Sequence, residues 1–140
     1  MNKSKEKLYP IKIDGLNSIE DREYFHEHLL KVVDILSDRM KNDHRQEYLE
    51  AIYFINDMQQ AFSPHNERLN EIVLEDIRCA LDLELYNIGI TTAIALLIGT
   101  NEGENKVDIY ELVFCLCKLN KAFSFTWERV RNQRKLINAA

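Results

Sequence analysis

YNIGITTAIALLIG, residues 86–99, is the stretch on which the number of helices in this 140-residue chain turns. Apolar residues recur at helical spacing on both sides of it, but Gly89 is a helix breaker and the Thr91-Thr92 pair offers capping hydroxyls. This reading ends one helix near Gly89 and starts a short one, capped by Thr91 or Thr92, that runs through Ile98. TTAIALLI is apolar almost all round, which predicts a place at the centre of the core.

Working backward, Pro64 suits the first position of a third helix running to about Tyr86, with Leu69, Ile72, Val73, Ile77, Ala80 and Leu81 facing inward. Its other face is strongly acidic, with Glu67, Glu71, Glu75, Asp76, Asp82 and Glu84 against Arg68 and Arg78. A second helix follows the N-terminal signal Asp43–Gln46 and carries Leu49, Ile52, Tyr53, Ile55, Met58 and Phe62. A first helix opens at Ser18 with Asp21 three residues on, a variant of the capping box. Its apolar stripe is Phe25, Leu29, Val32, Val33, Leu36 and Met40.

Residues 1–17 read as a basic, extended arm in which IKI forms a short strand or lies against the body, and residues 18–140 as a single domain. Working forward, GTNEGEN is a loop. Asn105 with Asp108 caps a fifth helix carrying Ile109, Leu112, Val113, Leu116 and Leu119, and a last helix starts near Ser124 and holds Trp127. The expected fold is all-α: a single compact bundle of five or six mostly antiparallel helices with a short extended N-terminal arm.

Composition narrows function less than fold. Hydrophobic residues make up 46% and charged residues 29%, with four glycines and two prolines, which suits a helical globular domain. The net charge of −5 opposes binding to phosphate backbones, and basic residues gather only near the ends, so no nucleic-acid partner is expected. A faint helix-turn-helix pattern around Ala95 and Gly99 leads into NEGENKVDIYE, whose acids would repel DNA. The N-terminus lacks an apolar leader, and the longest apolar run falls far short of the ~20 residues of a membrane span. A cytoplasmic protein with no membrane partner is expected. Cys79, Cys115 and Cys117 have no metal or disulfide spacing and read as buried small hydrophobes.

EYFHEH, residues 23–28, holds two of the four histidines but lacks metal-ligand spacing, and reads as a solvated or partner-facing helix flank. Glu23-Tyr24-x-x-Glu27, followed after nineteen intervening residues by Glu47-x-x-Glu50, resembles the motif of MazG-like all-α nucleotide pyrophosphatases, Glu-Glu-x-x-Glu then Glu-x-x-Asp. Tyr24 and Glu50 depart from that pattern, and the resemblance covers only about residues 20–60. It implies that Glu23, Glu27, Glu47 and Glu50 would hold magnesium. The leading expectation has no catalytic residue, metal or cofactor. It is a small acidic binding protein that inhibits a basic protein partner, in the manner of immunity proteins, antitoxins and phage inhibitors. Its contacts are Glu67, Glu71, Glu75, Asp82, Glu102 and Glu104. A homo-oligomeric structural module, one apolar helix face completed by a second copy, is the remaining alternative.

Overall fold

The computed structural model describes residues 11–13, 16, 18–62, 71–72, 74, 77, 79–99 and 106–139, with backbone alone at 71, 80, 106–107, 130–131 and 133–139. Four helices carry the fold among them: α1 (Ile19–Met40), α2 (Gln46–Ala61), α3 (Ala80–Gly99) and α4 (Lys106–Ala139). Two short strands, β1 (Ile11–Lys12) and β2 (Glu71–Ile72), pair antiparallel with Ile11 opposite Ile72 and Lys12 opposite Glu71. The fold is all-α in character, with four helices in place of the five or six expected.

Each helix packs chiefly against the next in sequence, and α1 meets α3 and α4 by lighter contacts. The first stripe is as read: Phe25, Leu29, Val32 and Leu36 are buried, with Val33 and Met40 packed at the edge. Ser18 caps α1 by accepting from the Asp21 backbone N–H at 3.1 Å. On α2 the buried set is Tyr48, Ala51, Ile55 and Met58, while Leu49 and Tyr53 are exposed. Both sets have helical spacing. Aromatic contacts tie the layers together, Phe25 on Phe62 at 5.2 Å and Phe54 on Tyr86 at 4.9 Å.

The expected break at Gly89 does not occur. α3 runs through it because Tyr86, Ile90, Ala93 and Leu97 bury one continuous face, which outweighs a glycine cost of about 1 kcal/mol. Thr91 and Thr92 do not cap. Their hydroxyls donate to the carbonyls of Asn87 and Ile88 four residues back, as in a helix interior. The break expected near Ser124 is also absent. Asn120 and Ser124 instead link helices: Asn120 donates to Thr91 and Asn87 donates to Ser124. α4 is therefore one helix of 34 residues.

Residues 71–72, expected inside the third helix, are extended. Ile72 is fully buried opposite Ile11, so the strand pairing covers an apolar side chain from each segment. Ile11, Ile13 and Leu16 are buried with Ile72, Leu74 and Ile77, so part of the N-terminal arm belongs to the core. Leu81, expected to face inward, is 62% exposed. The Pro64 helix start and the GTNEGEN loop after Gly99, which ends α3, lie outside the described residues.

Two arginines close helix ends from neighbouring elements. Arg22, fully buried, donates to the Ala61 carbonyl at 2.7 Å, and its guanidinium lies 5.7 Å from the Phe62 ring centre. Arg39 donates from the end of α1 to the Leu96 and Leu97 carbonyls of α3. Both satisfy carbonyls that have no partner within their own helix.

Candidate functional site

α1 presents one row of carboxylates to solvent. Glu20, Glu23, Glu27, Asp34 and Asp38 are all exposed and recur at helical spacing, with Lys31 the one base among them. Tyr24 and Leu30, 39% and 43% exposed, interrupt the row with apolar surface. Glu47 and Glu50 are exposed on α2. Among the described residues, no group of three or more His, Cys, Asp or Glu side chains is placed to hold a metal ion. Glu23, Glu27, Glu47 and Glu50 thus stand as separate solvated carboxylates.

The histidines of EYFHEH are set into the bundle, contrary to the expected solvated flank. His26 Nδ1 donates to the Gln59 carbonyl at 2.9 Å, and the Gln59 side-chain amide donates to His26 Nε2 at 3.1 Å. Both ring nitrogens are thereby committed to joining α1 with α2. His28 is buried, donates from Nδ1 to the Tyr24 carbonyl at 2.7 Å and holds Nε2 4.0 Å from Glu111 of α4. The Tyr24 ring covers it, with centroids 3.8 Å apart.

The contacts expected on the third helix divide. Glu67, Glu75, Glu102 and Glu104 lie outside the described residues, and Glu71 is placed by its backbone alone, in β2. Asp82 is half-buried in the first turn of α3 and lines a groove of about 270 Å³ with Tyr53, Phe54, Leu85 and Tyr86. The cysteines also divide. Cys115 is buried and its thiol is pushed up to about 12 by that burial, while Cys79 and Cys117 are exposed. Cys115 is therefore protonated at neutral pH and unsuited to nucleophilic attack.

A feature missed in the sequence is the outer side of α3, where Leu81, Leu85, Ile88 and Ile98 are 44–62% exposed. The all-round apolar pattern that led TTAIALLI to be expected at the centre of the core holds on one side only: Ala93, Leu96 and Leu97 are buried, while Thr91, Ala95 and Ile98 are exposed. Leu81–Gly99 is also long and apolar enough, by length and composition, to cross a membrane, with a mean hydropathy of 1.5 and 39% of it buried. No protein-family model, curated protein or solved structure matches the chain.

Proposed function

We propose that this is a small acidic, non-enzymatic helical protein of the cytoplasm that binds a basic protein partner and inhibits it. The observation that carries the reading is the row of exposed carboxylates along α1, broken only by Tyr24, Leu30 and Lys31. Such a row speeds encounter with a cationic surface, and the apolar side chains within it supply the desolvated anchors that hold a complex together. Asp82 and the acids expected on either side of α3 extend the same charge, in keeping with the chain's net −5. Inhibition needs no chemistry from this chain, only a face that covers the partner's working surface.

The test is affinity capture from cells of the native host, with the native chain beside a Glu23→Lys/Glu27→Lys/Asp34→Lys variant whose helicity is checked by circular dichroism. The expected result is one dominant basic partner, retained at low salt, released at high salt and lost with the variant. Equal recovery by the variant, or no partner at low salt, overturns the proposal.

A further inference from the structure

We infer that α3 is a self-association helix, on whose outer side two copies of the chain pair antiparallel about a two-fold axis at the level of residue 90. This goes beyond the partner-binding reading and uses a surface other than the α1 row of carboxylates that carries it. The inner side of α3 is spent on the core, with Leu83, Tyr86, Ile90, Ala93 and Leu97 all buried. The outer side repeats on a seam of alternating four- and three-residue steps: Leu81, Leu85, Ile88, Thr92, Ala95 and Gly99. That is the spacing with which one helix packs along another.

The seam is self-complementary in size. Its N-terminal half holds three large side chains and its C-terminal half three small ones. Reversal about residue 90 sets Leu81 against Gly99, Leu85 against Ala95 and Ile88 against Thr92, so every layer joins a large residue to a small one. Among the described residues no atom lies within 4 Å of where a Cβ would stand on Gly99, so Leu81 of the second copy can approach the bare backbone there. Ile98, 52% exposed, flanks that position. A parallel pair would set large on large and leave the small half unfilled. A two-fold pairing also repeats each contact twice, as an isologous interface requires, and sets the two helix dipoles antiparallel.

Charge points to the same occupant. No Asp, Glu, Lys or Arg occurs between Glu84 and Glu102, in a chain that is otherwise rich in all four. Two copies, each at −5, repel over most of their surface and can meet here without opposing like charges. A basic partner would find no carboxylate on this seam. The polar groups on it are already satisfied, since the Thr91 and Thr92 hydroxyls donate within the helix. Covering the face therefore strands no donor.

The size of the contact sets its strength. The 19 residues from Leu81 to Gly99 span about 27 Å, and at a helix width of about 10 Å the seam covers roughly 270 Å² per copy. Stable dimers bury about 800 Å² per partner. Tyr53, 60% exposed beside Leu85 in the α2–α3 groove, widens the contact without closing that gap. The pair is accordingly a weak dimer that dissociates on dilution.

Sedimentation equilibrium across the micromolar range tests this on the full chain. The expected mass rises with concentration from 16.5 kDa toward twice that value. Ala95→Glu, at an exposed helical position, weakens the dimer at least about tenfold while leaving helicity unchanged. For the register, Ile88→Cys and Leu81→Cys are compared in a Cys79→Ser/Cys117→Ser background with a short bismaleimide. The two-fold pairing links Ile88→Cys to its copy and leaves Leu81→Cys, about 27 Å from its own copy, unlinked. A constant 16.5 kDa, a dimer indifferent to Ala95→Glu, or equal linking at both positions overturns the inference. So does a monomer that floats with phosphatidylcholine vesicles, which would make lipid the occupant. Partner capture by the Ala95→Glu variant is expected to be unchanged, so this inference and the partner-binding proposal fail separately.

Discussion

The ring of Phe54 on α2 occupies the space that a side chain on Gly89 of α3 would need: a Cβ there would lie 2.6 Å from Phe54 Cδ2 and 2.7 Å from its Cβ. The glycine is thus a contact point between two helices and not the end of one. Gly89→Ala is expected to destabilise the fold by about 1–3 kcal/mol, because relief requires moving the base of a packed side chain. Gly99→Ala, with open space around it, is expected to be neutral or stabilising by up to about 1 kcal/mol. Urea unfolding of the two variants makes the comparison, and equal midpoints would refute it.

Arg39 fastens the end of α1 to the end of α3 through the Leu96 and Leu97 carbonyls. Arg39→Met is expected to cost about 1–3 kcal/mol, since it leaves those carbonyls without their charged donor. Arg39→Lys keeps a cation at the negative end of the helix but loses the fork, so it should fall between the two. Thermal unfolding of the three proteins gives the order.

Cys115 supplies a pH signature. Burial raises its thiol from an ordinary 9.0 to about 12, so the folded chain holds the proton more tightly than the unfolded one. Its contribution is fully present below pH 9 and is lost as pH rises toward about 12. Cys115→Ala should flatten that part of the stability profile relative to the native chain. In a thiol-reagent assay at pH 8, Cys79 and Cys117 are expected to react promptly and Cys115 only on unfolding.

The carboxylates that resemble a pyrophosphatase motif give a ligand test. Glu23, Glu27, Glu47 and Glu50 are each exposed, so millimolar magnesium should bind no more tightly than to any acidic surface and leave the unfolding temperature unchanged. Isothermal titration that finds stoichiometric magnesium, abolished by Glu23→Gln or Glu47→Gln, would reverse this.

Much of the bundle was legible in the chain. The stripe from Phe25 to Met40 and the Ser18 cap are local signals, fixed by the 3.6-residue period and by one hydroxyl in reach of a backbone N–H. Gly89, Thr91 and Ser124 misled because each is a genuine terminator when only its neighbours in sequence are considered. Phe54 gives Gly89 a reason to be small, the i−4 carbonyls take up the threonine hydroxyls, and Asn87 gives Ser124 a partner. The candidate surfaces divide in the same way. The acids of α1 were readable as solvated, whereas the inward setting of His26 and His28 depends on Gln59 and Glu111, thirty-three and eighty-three residues away.

What the sequence determined by itself is the helical class, the acidity and the phase of α1, because these follow from composition and from interactions within a few turns. Only the tertiary structure decided that two expected breaks are continuous helix, that residues 71–72 pair with the N-terminal arm, and that the outer side of α3 stays uncovered. The physical reason is that helix ends and buried faces are chosen by competition. A local stop signal worth about a kilocalorie yields when a neighbouring helix offers more apolar surface to cover.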